Sequence, residues 1–229
     1  MKSEKRVLFV APHADDELLG CGGVIAKYSQ RGDHLAALIL TDASKGAPSQ
    51  YSESYISQLR SDTLEAHAFI GLQETIFMDF PAPKLDQTPV SEIADGISRV
   101  ISEFVPSIVF IPHVGDAHVD HQVAHDASLV ACRPKPNSVV ERVIVYETLS
   151  ETGWGRFDRP FVPNYFEELE EQHLTSKIKA MEMIESQIQS YPHPRSRDAI
   201  RSLAAYRGAS VGVRMAEAFA VVRTVLRNP

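Results

Sequence analysis

Cysteine is scarce: the chain of 229 residues has two, Cys21 and Cys132, and no C-x-x-C spacing. Two isolated thiols make neither a disulfide framework nor a zinc knuckle, so both are expected to be buried, inert small residues. Positive charge is also short, because 23 Lys and Arg against 30 Asp and Glu leave a formal net charge of −7. Such a balance offers no basic field to release counterions from a phosphate backbone, which argues against a nucleic-acid partner. No apolar stretch approaches the roughly eighteen residues of a membrane span. The run Val7-Leu8-Phe9-Val10 behind Met1–Arg6 is too short for the core of a signal peptide. A cytoplasmic protein without a membrane anchor is therefore expected. There is no internal repeat and no low-complexity tract. What is abundant is apolar content, 44%, enough for one large core, and a single domain over residues 1–229 is expected.

Apolar runs at residues 6–11, 35–40, 108–111 and 143–146, with a shorter one at 75–78, read as strands. Helical spacing covers 18–31, 55–70, 90–104 behind Pro89, and 119–131. Short, wholly apolar strands imply a parallel sheet covered on both faces, because each face must be buried. The alternation predicts an α/β fold: a Rossmann-like, doubly wound, mostly parallel sheet with helices on both faces. From about Leu149 the rhythm changes, with Gly153, Trp154, Gly155, Pro160, Pro163 and Pro194 around one long helical stretch at 169–190. Residues 149–229 are expected to wrap the sheet and shape a pocket, with Glu167–Glu171 as a solvated helical face. The segment Gly20-Cys21-Gly22-Gly23 is not a dinucleotide fingerprint. Its glycines fall inside the first helix, do not fit G-x-G-x-x-G, and follow a turn whose acids would repel pyrophosphate. Close helix packing explains them better.

In open α/β sheets, ligands bind beyond the carboxyl ends of the strands. The polar residues there are His13-Ala14-Asp15-Asp16-Glu17 after the first strand, Thr41-Asp42 after the second and Asp79 after the third. After the fourth come His113, Asp116, His118, Asp120 and His121. Imidazoles and carboxylates converging on one edge suit a borderline-soft divalent ion, with Zn2+ leading and other divalent transition metals as alternatives. A catalytic zinc site uses three protein ligands, and His13, Asp16 and His121 supply them with one spare carboxylate, Asp15, alongside. Taken alone, H-x-D-D is equally a strand-to-helix turn in which an aspartate caps the helix. A second His/Asp cluster after another strand tips the balance toward a metal. His125 lies four residues after His121 but deeper in the helix, where packing is the better account; His34, His67, His173 and His193 are isolated.

The run A-H-A-D-D-E with G-C-G-G, paired with D-A-H-V-D-H, resembles the PIG-L/LmbE-like N-acetylglucosaminyl deacetylase family, whose members carry A-H-P-D-D-E and H-P-D-H there. Ala14 and Val119 stand where the family has proline, which removes no functional group. The resemblance extends to Thr41-Asp42 with Lys45-Gly46, to Arg60, Glu65 and Gly71, to Lys177, to Ser186-Gln187 and to Ala216-Glu217-Ala218-Phe219. It implies a Rossmann-like fold, zinc held by His13, Asp16 and His121, Asp15 as general base and His118 stabilising the oxyanion as an imidazolium that can pass on a proton. Asp120 would orient an imidazole from behind. Arg60, Asp42 and Asp79 would grip sugar hydroxyls or an anionic aglycone, with surface pairing or capping as the equal alternative. The implied activity is deacetylation of an N-acetylglucosamine-type amino sugar in a soluble, small-molecule glycoconjugate. The loops at 43–57 and 149–166 would select the aglycone, and the family pattern admits a homo-oligomer. Hydrolysis of another amide, cyclic amide or ester bond is the alternative, and a non-catalytic metal-dependent sugar-binding protein is a second.

Overall fold

The computed structural model describes residues 4–136 and 138–226. Part of the leading Met1–Arg6 stretch therefore lies outside the described residues. The elements run β1 (Arg6–Ala11), α1 (Asp16–Gln30), β2 (His34–Asp42), α2 (Ala43–Gly46), α3 (Glu53–Ile70), β3 (Glu74–Pro81), a 3-10 turn at Leu85–Gln87, α4 (Val90–Phe104), β4 (Ile108–Pro112) and α5 (Val119–Ala131). β5 (Arg142–Tyr146), α6 (Leu149–Thr152), β6 (Tyr165–Glu168), α7 (Glu171–Met183), α8 (Arg197–Ala209) and β7 (Ala216–Thr224) complete the chain. One seven-stranded sheet has the order β3-β2-β1-β4-β5-β7-β6. The five strands from β3 to β5 are parallel, and β7 runs antiparallel to both of its neighbours.

Side-chain alternation sorts the strands' residues between two cores. Val7 and Phe9 pack with α1, α3, α7 and α8 on one face, while Leu8 and Val10 pack with α4 and α5 on the other. Helix boundaries follow local chemistry. Ser52 caps α3 by accepting from the Tyr55 N–H at 3.1 Å, and Gly71 ends that helix in the left-handed region at φ 97°. Among the described residues no helix is long and apolar enough to cross a membrane. Cys21 and Cys132 are both free and buried, as expected.

The sequence-based expectations fail mainly after Leu149. The stretch 169–190 is not one long helix: α7 stops at Met183, and residues 184–195 form a loop that returns to the pocket. Glu167–Glu171 is not a solvated helical face. Glu167 and Glu168 belong to β6, and Glu167 accepts from Lys27 Nζ at 2.7 Å and Tyr28 Oη at 2.5 Å. β7, absent from the reading of apolar runs, pairs with β5, so the C-terminal part adds strands to the sheet as well as wrapping it. The second residue of β7 is a buried glutamate, set just ahead of the apolar residues 218–222.

That glutamate, Glu217, reaches into α1. Its carboxylate accepts from the Gly23 N–H at 2.9 Å and the Val24 N–H at 2.7 Å, while Lys177 Nζ donates to Glu217 Oε1 at 2.6 Å and to the Leu19 carbonyl at 2.7 Å. A buried ion pair thus stands in for part of the helix's own ladder. The glycine run is what allows it: a β-carbon on Gly22 would lie 2.7 Å from Lys177 Cγ, and one on Gly23 2.4 Å from Leu169 Cδ1. Close packing, expected from the sequence, is its function. Both side chains of the pair are almost fully buried, so removing one partner strands the other's charge. Glu217→Ala should therefore cost about 3–5 kcal/mol of unfolding free energy, read from the shift of the guanidinium chloride midpoint. A loss below about 1 kcal/mol would show the pair to be solvated.

Candidate active site

The strand order reverses between β1 and β4, which leaves a crevice beyond their carboxyl ends. Both His/Asp clusters open there. After β1, the N–H groups of Asp15 and Asp16 both point to the His13 carbonyl, at 3.1 and 3.4 Å, and Thr41 Oγ1 donates to the Pro12 carbonyl at 2.8 Å. Asp15 occupies the N-cap position of α1, yet its side chain makes no capping bond. The capping alternative for H-x-D-D thus fails at Asp15, whose carboxylate is left for other work. After β4, His118 caps α5: its Nδ1 accepts the Asp120 N–H at 3.1 Å.

Asp16 joins the two clusters. Its Oδ2 lies 3.1 Å from His13 Nδ1 and 3.1 Å from His121 Nε2. Each imidazole's outer nitrogen faces a carboxylate of its own: His13 Nε2 is 3.1 Å from Asp120 Oδ2, and His121 Nδ1 is 2.8 Å from Asp116 Oδ2. These carboxylates are themselves fixed, Asp120 by the Leu85 N–H at 3.0 Å and Asp116 by the Thr152 hydroxyl at 2.6 Å. A neutral imidazole that donates from its outer nitrogen presents a lone pair inward. Two lone pairs and a carboxylate oxygen then face one another and need a shared cation.

The local field favours positive charge there. Burial opposes charge on His13, but Asp120 and Asp16 outweigh it and raise its pKa to about 9. Burial is likewise outweighed at His121, by Asp16 and Asp116, which raise it to about 10. Asp16 is held well below the usual carboxylate range, burial being overcome chiefly by His121. His121 Nε2 remains buried without a well-directed hydrogen bond. Donor atoms of His13, Asp16 and His121 all lie within 4.8 Å of one another, and carboxylates orient both imidazoles from behind, so the residues fit a divalent ion. His13, His118 and Asp120 are equally close. In that set, however, His118 Nδ1 is committed to the cap and Asp120 already serves His13.

Asp15 is almost wholly buried, and burial lifts its pKa to about 7, with Arg195 pulling the other way. Arg195 Nη1 stands 2.9 Å from Asp15 Oδ2. His118 is pushed down to about 4 by burial and then by neighbouring His13. Because its Nδ1 accepts the Asp120 N–H, its proton sits on Nε2. The imidazolium expected at His118 is thus replaced by a neutral N–H donor, since a second proton would collide with the cap. Both residues line a cavity of about 360 Å³ with His13, Tyr51, Tyr55 and Glu151.

Arg60, Asp42 and Asp79 come together, chiefly with one another: Arg60 Nη2 is 3.2 Å from Asp42 Oδ2 and 2.7 Å from Asp79 Oδ1. Arg60 lines a side pocket of about 60 Å³ that also touches His13. His125 Nδ1 donates to the Pro112 carbonyl at 2.8 Å, a packing role, and His113 Nε2 donates to the Arg159 carbonyl at 3.0 Å. His67 bridges Glu17 and Thr75 in the core. Asp116 has no role in the sequence-based reading, although its place two residues before His118 in D-A-H-V-D-H is a signal. Arg195, Glu151 and Thr152 lie in the C-terminal part expected to shape the pocket, but no motif singles them out individually.

Comparison with known proteins agrees with this geometry. The chain is 29% identical over 182 residues, 77% of this chain and 89% of its relative, to an uncharacterized deacetylase, YaiS, of Escherichia coli K12. It is 27% identical over 220 residues, 93% of this chain and 81% of its relative, to a diacetylchitobiose deacetylase of Thermococcus kodakarensis. The crystal structure of the conserved protein TT1542 from Thermus thermophilus superposes with a TM-score of 0.74 at 27% identity, covering 98% of each chain. Residues 8–132, which span both His/Asp clusters, match the family model PIG-L, GlcNAc-PI de-N-acetylase. The chain belongs to this PIG-L family of hydrolytic deacetylases.

Proposed function

We propose that this protein is a zinc-dependent, cytoplasmic hydrolase that removes the acetyl group from an N-acetylglucosamine-type amino sugar in a soluble glycoconjugate. The observation that carries the reading is the inward-facing trio of His13 Nδ1, Asp16 Oδ2 and His121 Nε2, with Asp15 and His118 on the adjoining cavity wall. Amide hydrolysis needs what these residues offer. His13, Asp16 and His121 would hold a divalent ion, which when bound would supply Lewis acidity toward an acetamide carbonyl and lower the pKa of a water toward about 7. Asp15, raised toward neutrality and steadied by Arg195, takes the proton from the attacking water and returns it to the amide nitrogen as the C–N bond breaks, releasing acetate and the free amine. His118 Nε2–H donates to the oxyanion as it develops, a contribution of roughly 2.7–4 kcal/mol for one well-placed donor. Asp120 and Asp116 hold the imidazoles of His13 and His121 in register. Arg60 donates to sugar hydroxyls through the nitrogens that Asp42 and Asp79 leave free.

Purified protein is expected to carry one transition-metal ion per chain by elemental analysis and to lose activity on chelation. Full activity with no stoichiometric metal would remove the mechanism. His121→Ala should abolish metal binding, and Asp116→Asn should weaken it about 10–100-fold, because the ligand loses its orienting carboxylate.

Asp15→Asn should retain metal and lose several orders of magnitude in kcat. His118→Ala should retain metal and lose about 10²–10³ in kcat, the effect of one oxyanion donor. Parallel metal content and turnover decide it; metal loss in His118→Ala with retention in His121→Ala would exchange their roles.

Acetate release from N-acetylated sugars, N,N'-diacetylchitobiose among them, tests the reaction itself. Turnover of simple esters or cyclic amides with no acetate from any sugar would replace this reading with the alternative hydrolase.

A further inference from the structure

A small apolar cluster stands among the polar strand ends: Ala11, Ala14 and Ile39, with Leu59 and Phe77 packed against them. It walls the side pocket of about 60 Å³ that touches His13. The pocket and the main cavity share His13, Ala14, Ala43, Ile56, Leu59 and Ala82, so the smaller space branches from the larger beside the candidate metal centre. Leu59 and Phe77 are only half-buried, which leaves their carbon surface for a guest. The reaction above uses none of these apolar side chains.

Three polar side chains border the pocket, and the other seven that line it are hydrocarbon. Thr41 turns its hydroxyl away to the Pro12 carbonyl at 2.8 Å. His13 directs its nitrogens to Asp16 and Asp120. Arg60 sets its Cζ 5.0 Å from the centre of the Phe77 ring and turns Nη2 to Asp42 and Asp79. Most of a sugar's hydroxyls would lose water on entering such a wall without replacing it. Volume excludes a sugar as well. A water-sized group needs roughly 10–15 Å³ of such space and a benzene-sized guest about 150 Å³. A pocket of about 60 Å³ therefore admits a chain of a few carbons and no ring.

The carbonyl carbon of the amide carries an oxygen, the sugar's nitrogen and an alkyl tail. With the sugar in the main cavity of about 360 Å³, the tail is the one substituent both apolar and small enough for the branch. An acetyl group, with a single methyl, fills only part of it. We propose that the side pocket is the acyl subsite and sets the range of acyl groups removed, accepting acetyl, propionyl and butyryl and excluding a benzoyl ring. This rests on the deacetylase reading above. In each case the oxygen of water joins the acyl carbon as the C–N bond breaks, releasing the matching carboxylate and the free amine. The longer tails gain by hydrophobic burial, because each further methylene leaves water for the wall of Ile39, Leu59 and Phe77.

The test measures free amine from the N-acetyl, N-propionyl, N-butyryl, N-malonyl and N-benzoyl forms of glucosamine, chitobiose and glucosaminyl-inositol. For the wild type, kcat/KM with propionyl should at least equal that with acetyl, a buried methylene being worth up to about fourfold. Benzoyl should fall at least about tenfold below acetyl. Leu59→Phe narrows the pocket and should lower butyryl at least about tenfold relative to acetyl. Leu59→Ala widens it and should raise benzoyl relative to acetyl by a similar factor. Metal content should match the wild type in both, since Leu59 is no ligand. The assignment is overturned, with deacetylation standing, by a wild type strict for acetyl or by an acyl profile that both variants leave unchanged. A preference for malonyl overturns it too, because that carboxylate would be answering to Arg60. No amine from any of these compounds removes the deacetylase reading itself, and this inference with it.

Discussion

One carboxylate oxygen, Asp16 Oδ2, lies 3.1 Å from an imidazole on each side of the β1/β4 crevice, and the rest of the site is arranged to keep it there. The contact requires β1 and β4 to be adjacent and parallel, so that the turns after both strands open at the same edge. It also requires both imidazoles to turn their inner nitrogens toward Asp16. Asp120 and Asp116 achieve that from behind, and the Leu85 N–H and Thr152 hydroxyl hold them in turn. A candidate metal-binding constellation of three residues is therefore a network of at least seven, drawn from four regions of the chain.

Burying so many acids is costly unless each finds a donor or a positive charge. The structure meets this condition in two ways. Around the crevice, imidazoles and Arg195 face the carboxylates, whose negative charge raises the pKa of His13 and His121 and makes the crevice a site that favours a cation. Behind it, Glu217 and Lys177 satisfy one another and the exposed groups of α1's glycine-rich turn. The two networks share α1: its first residue is Asp16, and Gly23 and Val24 further along it bond to Glu217. Packing over the sheet and the geometry of the site are thus constrained by the same helix.

The neutral state of His118 follows from its second task. A residue that caps a helix with Nδ1 has given up one site of protonation, so its role toward an oxyanion is that of a fixed dipole. His13 reinforces this, because two imidazolium rings with centroids 4.6 Å apart would repel one another. The same economy governs Arg195, whose guanidinium stands 2.9 Å from Asp15 Oδ2 and offsets part of the cost of burying that carboxylate.

By itself the sequence determined the parallel half of the fold and the heart of the site. Residues 90–104 and 119–131 are helical as their apolar periodicity required, and strands too short and too apolar for anything but a doubly covered sheet form its centre. His13, Asp15, Asp16, His118 and His121 were legible because they fall in two short motifs, one directly after β1 and one in the connection from β4 into α5, where such sheets bind ligands. Only the tertiary structure decided what depends on distant segments meeting. β7 carries an apolar run at residues 218–222, but its place at the sheet edge and the pairing of its buried Glu217 with Lys177, 40 positions earlier, come only from the fold. Arg195 reaches the cavity from a loop and Glu151 from the single turn of α6, neither with a periodicity of its own, and Asp42 and Asp79 meet Arg60 across a strand and a helix. Spacing along a chain reports which side chains share a turn or a face; it carries no record of which turns the fold will bring together.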